Sequence, residues 1–357
     1  MSLHFHPLRV KEVRPDTEEA VVVSFDVPLA IQEAFRFAPG QYLTLRHEVG
    51  GQDLRRSYSI CAGADDGELR VGVRKVDGGA FSAFVHGDLK AGDEIQVFPP
   101  QGRFTLKESE ASRHVLGIAG GSGITPILSI MKTVLAREPR SRFTLIYANR
   151  RQASTMFKEE IEDLKNRYMT RLTLHPVFSR EAVDAPLMAG RLDRAKLSEF
   201  LRALVPAQSL DEVFVCGPFQ MNDEAEAALL EAGVAEDRIH IERFGTPEMQ
   251  RGAPAPHEVK DGDAESIITI VRDGISREIE FNRHDPSILD AAARAGMEVP
   301  FSCKSGVCST CRCKLVEGEV RMDKNFALDK NEVAAGFILS CQAHALTPRV
   351  VISFDER

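Results

Sequence analysis

The sequence predicts a multidomain protein: an antiparallel β-barrel, then an α/β domain built on a parallel sheet, then a small α+β unit. Three observations carry this. Residues 1–106 hold short strand-like runs, and from about Ser112 strands begin to alternate with helices. A stretch rich in Pro, Gly and charge, "GTPEMQRGAPAPHEVKDGDAES" at 245–266, then cuts off a cysteine-bearing tail. At 357 residues the chain exceeds one ordinary core, so two or three domains are expected.

In the first segment the runs are "AVVVSFDV", "QYLTLRHEV", "RSYSICAG", "ELRVGVRKV" and "DEIQVFPP", punctuated by the turn signals "PG", "DDG" and "AGDE". In the second, "RHVLGIAG" reads as a buried strand. It leads through "GSG" into a helix, "TPILSIMKTVLAREP", with Pro126 in its first turn. The strands "RFTLIYANR", "LTLHPVFSR", "EVFVCGP" and "RIHIERF" follow, separated by the helices "ASTMFKEEIEDLKNRY", "DRAKLSEFLRAL" and "MNDEAEAALLEAG". Such alternation implies a parallel sheet with helices on its faces. In the third, "SIITIVRDGISREIEFN" reads as a hairpin around Asp273-Gly274, and "PSILDAAARAG" as a short helix closed by Gly296. The expected limits are 1–108, 109–246, a semi-stiff linker at 247–264, and 265–357.

A net charge of −8 argues against a nucleic-acid binder, which needs a basic face. The chain starts "MSLHFHPLRV", without an apolar leader, and has no bilayer-length apolar run. No membrane partner and a cytoplasmic location are therefore expected. Clustered thiols in that setting point to metal or redox chemistry.

Four of the seven cysteines lie within eleven residues, in "CKSGVCSTCRC". The spacing Cys303-x4-Cys308-x2-Cys311 is the plant-type two-iron pattern, which needs a fourth ligand farther on; "LSCQ" supplies Cys341. Cys313 is the odd one out and is expected in the small core. Ser305 and Gly306 let backbone N–H groups turn toward the sulfurs, which helps set a potential near about −400 mV. The alternatives are structural free thiols or a zinc site, although zinc sites usually space two C-x2-C pairs and only one such pair is present. "CKSGVCSTC" with "LSCQ" resembles the plant-type 2Fe-2S ferredoxins of β-grasp fold, over about the last quarter of the chain.

A one-electron carrier needs an electron source. "RRSYSI" sets Arg56 and Tyr58 on one face of a strand, with Ser59 beside them. A guanidinium suits a pyrophosphate, and a tyrosine ring offers a surface for a stacked ligand. "VRKVDGGAFS" offers Gly78-Gly79 and Ser82 at a helix start, where backbone N–H groups suit a phosphate. Taken singly, each is equally an ordinary strand or turn. Together they resemble the flavin-binding barrel of the ferredoxin–NADP⁺ reductase superfamily. That resemblance implies Arg56, Lys75, Gly79 and Ser82 on the flavin phosphates or ribityl chain, Tyr58 against the ring, and Ser59 near its reactive nitrogen.

"GIAGGSGITP" is not the G-x-G-x-x-G fingerprint, yet its glycines let the chain turn closely around a pyrophosphate at a helix start. "VFVCGPFQM" ends a later strand, where open α/β sheets bind ligands. The pair resembles the nicotinamide domain of the same superfamily. Gly121, Gly123, Thr125, Cys216, Gly217, Pro218 and Met221 are then its nucleotide-binding positions, with Cys216 near the nicotinamide. A nucleophilic Cys216 lacks a supporting His or Asn, and a buried core thiol is the plain alternative. Ser179 and Arg180 in "FSRE" resemble the 2′-phosphate clamp of NADPH-using members, with NADH the less favoured donor and a solvated loop arginine the alternative. "IERF" resembles the family's terminal acid and aromatic near the flavin, which brings in Phe244.

The domain order resembles that of oxygenase reductases. It implies transfer from NADPH through FAD (or FMN) and a 2Fe-2S cluster to the catalytic subunits of an oxygenase, with a di-iron epoxidase complex the favoured acceptor. A Rieske or steroid hydroxylase system is the alternative of the same kind, and a redox-sensing iron–sulfur module the alternative of another kind. A flavin suits the joint because it converts paired electrons to single ones. The linker keeps the cluster domain at about millimolar effective concentration.

Overall fold

The computed structural model describes residues 4–107, 109–245 and 259–356. The expected linker at 247–264 falls largely outside the described residues. Contacts divide the chain into two units, Leu3–Phe244 and Gly245–Arg357.

The first unit opens with six strands: β1 (His6–Thr17), β2 (Ala20–Asp26), β3 (Tyr42–Val49), β4 (Gln52–Ser59), β5 (Leu69–Arg74) and β6 (Glu94–Gln101). All pairings are antiparallel, in the order β4-β3-β6-β1-β2-β5. An Ile60–Val71 bridge brings the chain just past β4 onto β5. β1 was not among the sequence-predicted strands. Only Leu8 and Val10 are buried along its twelve residues, so its alternation signal is weak. The strand containing "RSYSI" also starts earlier than expected, because Gly50 and Gly51 both take positive φ and close a two-residue hairpin between Val49 and Gln52. α1 (Ala80–Gly87) follows β5 and packs Phe81 and Val85 into this core.

The same unit continues with five parallel strands: β7 (His114–Gly120), β8 (Arg142–Asn149), β9 (Leu172–Phe178), β10 (Glu212–Gly217) and β11 (Ile239–Arg243). Their order is β11-β10-β7-β8-β9, so it reverses between β7 and β10. The helices are α2 (Ile124–Arg137), α3 (Lys158–Arg167), α4 (Arg194–Ala203) and α5 (Phe219–Glu231). α3 starts five residues later than the periodicity suggests. Phe157 takes φ 56° at its N-cap, and its N–H donates to the Asp16 carboxylate of β1 at 3.0 and 3.2 Å.

The two sheets share one core. Ala20, Val22 and Cys61 from the first sheet's segment pack with Ile127, Met131, Met156 and Phe157. A Cβ on Gly72 of β5 would lie 2.8 Å from Thr125 Cγ2, so a bare backbone is needed for this approach. Polar groups seal the seam: Arg70 to Glu160 at 2.5 Å, Lys132 to Glu160 at 2.6 Å, and Ser129 Oγ to the Ala62 carbonyl at 2.6 Å.

The second unit holds β12 (Ser266–Arg272), β13 (Ile275–Phe281), β14 (Arg312–Glu317), β16 (Phe337–Leu339) and β18 (Arg349–Ser353), in the order β13-β12-β18-β14-β16. β15 (Val320–Met322) and β17 (Ala343–Ala345) form a separate ladder. The β12–β13 hairpin turns at Asp273-Gly274, both with positive φ, as expected. α6 (Ile288–Arg294) is capped by Ser287, and α7 (Lys330–Ala334) by Asp329. Beside the short ladder, Asp323 accepts from buried His344 at 2.8 Å and from Lys260 at 2.7 Å, while Arg321 clamps Asp263 at 2.6 Å. Among the described residues no helix is long and apolar enough to cross a membrane.

Candidate functional site

In the first sheet, strand alternation puts Arg56 and Tyr58 of β4 on one face. Tyr58 lies 6.1 Å from Phe81 of α1, so the "RRSYSI" strand and the Gly-Gly turn meet. Arg56 is exposed, its Nη1 donating to the Arg55 carbonyl at 2.7 Å. Burial pushes the Tyr58 phenol up, keeping it neutral. Gly79 is the N-cap of α1, and Lys75 is exposed at the preceding turn. Ser82 Oγ accepts from Val76 N at 3.1 Å and donates to the Gly79 carbonyl at 3.0 Å, so this hydroxyl shapes the turn itself.

In the parallel sheet, Gly121, Gly123 and Thr125 follow β7, while Cys216, Gly217, Pro218 and Met221 follow or end β10. These strands are neighbours at the point where the order reverses, where open α/β sheets bind ligands. The two turns touch. A Cβ on Gly123 would stand 2.0 Å from the Cys216 carbonyl oxygen, and one on Gly217 2.3 Å from Met221 Cε. Gly121 has φ 53°, and its missing Cβ would lie 3.2 Å from Arg74 Nη1 at the end of β5. Thr125 is buried and donates to the Ser122 carbonyl at 3.0 Å. Ser179 and Arg180 are exposed just past β9, their N–H groups bonded to the Asn149 and Arg150 carbonyls at 3.0 and 2.9 Å. β9 lies two strands from β7, about 10 Å at the usual strand spacing.

The two halves of this unit meet at Ser59, whose Oγ is 3.2 Å from Glu242 Oε2 on β11. Burial pushes the Glu242 carboxyl up to about 8, opposed by the Ser59 hydrogen bond. Cys216 pairs in register with Glu242, and burial, then the Glu242 charge, holds its thiol well above the usual range. A fully buried neutral thiol does not suit a nucleophile. Asn222 Nδ2 donates to the Glu242 carbonyl at 3.0 Å. Glu242 was legible only as the acid of "IERF", and Asn222 and Arg74 carried no separable signal. Phe244, just past β11, is 43% exposed.

In the second unit the cysteines fall into two pairs. The Cys308 thiol donates to Cys303, which holds the Cys303 thiol low, and the Cys311 thiol donates to Cys341, which helps hold Cys311 high. Ser305 N donates to Cys303 Sγ at 3.4 Å, as the loop's composition predicts. Cys313 is fully buried in the core, paired in register with Ile338. Among the described residues no three His, Cys, Asp or Glu side chains close on a point suited to one metal ion. Two thiol pairs suit two irons, one pair each, better than one tetrahedral zinc.

Family models match all three segments: an oxidoreductase FAD-binding domain over 8–106, an oxidoreductase NAD-binding domain over 118–227, and a 2Fe-2S iron-sulfur cluster binding domain over 270–346. The chain is 44% identical over 354 residues to a subunit of 1,2-phenylacetyl-CoA epoxidase from Escherichia coli (strain K12), covering 99% of this chain and 98% of that one. The chain belongs to the ferredoxin–NADP⁺ reductase-type oxidoreductases that carry a 2Fe-2S domain.

A second relative is "3-ketosteroid-9-alpha-monooxygenase, ferredoxin reductase component" of Rhodococcus rhodochrous, 32% identical over 97% of this chain and 96% of the relative. Among solved structures, phthalate dioxygenase reductase, a modular structure for electron transfer from pyridine nucleotides to 2Fe-2S, matches with TM-score 0.60 and 25% identity over 98% of both chains. This reductase is thus an electron-transfer oxidoreductase with FAD-binding, nicotinamide-binding and 2Fe-2S domains, of a kind that serves oxygenases.

Proposed function

We propose that the chain oxidises NADPH and delivers electrons to the catalytic subunits of a di-iron epoxidase acting on phenylacetyl-CoA. The observation that carries the acceptor is the 44% identity, end to end, with the Escherichia coli epoxidase component. The electron route is supported by the Ser59–Glu242 contact, which joins the "RRSYSI" strand to the nicotinamide-side sheet within one unit.

In this reading residues 1–108 form a barrel for FAD, 109–246 bind the nicotinamide cofactor, 247–264 link, and 265–357 form a β-grasp ferredoxin domain. The fit is good. Arg56, Lys75 and the Gly79 turn offer cationic and N–H donors for flavin phosphates, with Ser82 supporting that turn. Tyr58 is neutral and beside α1, as ring packing requires. Gly121, Gly123, Thr125, Gly217, Pro218 and Met221 would cradle the nicotinamide cofactor, with the start of α2 offering N–H donors suited to its pyrophosphate. Ser179 and Arg180 would meet the 2′-phosphate, favouring NADPH over NADH. Cys216 and Ser59 would border the nicotinamide and flavin rings, and Phe244 the flavin edge. Cys303, Cys308, Cys311 and Cys341 would hold the cluster.

Bound flavin and cluster supply the conversion between paired and single electrons. The chain's own residues align the rings, keep Glu242 and Cys216 uncharged at neutral pH, and bring a hydrogen-bonded Ser59–Glu242 pair to the junction. The test is reconstitution: NADPH, this chain and purified di-iron epoxidase subunits should epoxidise phenylacetyl-CoA, each being required. A second reading is supported by the steroid monooxygenase relatives. It would replace the first if only a Rieske oxygenase accepted the electrons. Failure to reduce cytochrome c or ferricyanide with NADPH would leave only a redox-sensing module.

A further inference from the structure

We infer that Gln342 sets the potential of the iron–sulfur cluster by donating a side-chain hydrogen bond to the Cys341 sulfur. The inference rests on the cluster assignment above and concerns a residue that the cysteine pattern does not include.

Gln342 follows the fourth cysteine and is only 8% exposed. Its Nε2 lies 2.9 Å from the Cys341 carbonyl oxygen, 3.1 Å from the Lys304 carbonyl oxygen and 3.5 Å from Cys341 Sγ. Two carbonyl acceptors fix the orientation of the amide, because an Oε1 turned there would face two oxygens without a proton. The –NH2 group has two hydrogens for three acceptors, so the sulfur shares a donor with a carbonyl. As a sulfur gains negative charge, that shared hydrogen bond strengthens, as charge-assisted bonds do. Reduction is therefore favoured, which is how hydrogen bonds to sulfur raise cluster potentials.

The side chain is held for this purpose. Gln342 N donates to the Leu339 carbonyl at 2.9 Å, and its own carbonyl accepts from Asp323 N at 2.9 Å. Gly306, with φ 77°, brings the cysteine loop against it; a Cβ there would stand 3.3 Å from Gln342 Cγ. The bond from Gln342 to Lys304 thus ties the loop carrying three ligands to the segment carrying the fourth. The donor from Ser305 N to the Cys303 sulfur is, by contrast, backbone and fixed by the fold. The Gln342 donor is a side chain, so substitution can adjust it without moving the chain.

The test is a redox titration of the full-length chain with its cluster, followed by electron paramagnetic resonance, in wild type, Gln342→Met and Gln342→Glu. Methionine keeps length and flexibility without a donor. Gln342→Met should lower the one-electron equilibrium constant up to tenfold, 59 mV for a one-electron couple. Gln342→Glu, which adds a charge beside the sulfur, should lower it further. Flavin reduction by NADPH should not change in either variant. Potentials equal to wild type in both would overturn the inference alone. Loss of iron from both would assign Gln342 to loop closure and overturn the tuning role. A wild-type chain that holds no cluster would overturn the cluster assignment and this inference with it.

Discussion

Ser59 Oγ and Glu242 Oε2 stand 3.2 Å apart, although 183 residues separate them. The contact joins β4 of the antiparallel sheet to β11 of the parallel sheet. It leaves a carboxyl, pushed up to about 8 by burial, where the flavin and nicotinamide rings are proposed to meet.

That carboxyl sets a pH dependence. Folded, Glu242 keeps its proton up to about pH 8, whereas the unfolded chain loses it near the ordinary value of 4.5. Its stabilising contribution is complete below the lower value and falls as pH rises toward the upper one. Glu242→Gln, neutral throughout, should flatten this slope in denaturant midpoints between about pH 5 and 8.5. In stopped-flow flavin reduction by NADPH, the variant should stay on the wild type's low-pH plateau. An unchanged inflection near pH 8 in the variant would assign the titration to another group.

Cys341 and Cys313 should separate cleanly. Cys341→Ser should leave flavin reduction by NADPH intact and abolish both cluster absorption and cytochrome c reduction. Cys313→Ser should keep the cluster spectrum and lose roughly 1–3 kcal/mol of stability, because it buries a hydroxyl in an apolar core. The reverse pattern would make Cys313 the ligand.

Arg180 should discriminate between the two nicotinamide donors. If Arg180 meets the 2′-phosphate as proposed, Arg180→Ala removes a charge-assisted contact of about 1.5–3 kcal/mol, and KM for NADPH should rise about tenfold or more. KM for NADH should hardly move. Equal losses for both donors would detach Arg180 from the 2′-phosphate.

Gly123 should tolerate no side chain. A Cβ there would stand 2.0 Å from the Cys216 carbonyl oxygen, which is backbone and cannot swing aside. Gly123→Ala should cost about 1–3 kcal/mol as overpacking does, and weaken both nicotinamide donors alike. Gly78→Ala, with open space around its φ of 71°, is the control: its smaller cost comes from backbone strain alone.

The legible parts were those with a local code. "CKSGVCSTC" carries three of the proposed ligands in one loop, within the chain's own short reach. The Gly-rich turn before α2 and the Asp273-Gly274 hairpin are likewise set by backbone freedom within a few residues. β1 was not legible because it buries so little, and the start of α3 because the turn at Phe157 that precedes it is held by Asp16 of β1, far away in the chain. At Ser82 the sequence offered a helix start with backbone N–H donors, and only the fold shows that its hydroxyl accepts from Val76 N and donates to the Gly79 carbonyl.

By itself the sequence determined the three domains in order and their cofactor classes, and it offered four cysteines for the cluster, since periodicity and short spacings are properties of neighbouring residues. Tertiary structure alone decided that Ser59 meets Glu242, that the first two domains share one core, and that Gln342 aims its amide at Cys341. Each of these depends on packing between segments far apart in the chain, and no local pattern records the sum of those contacts.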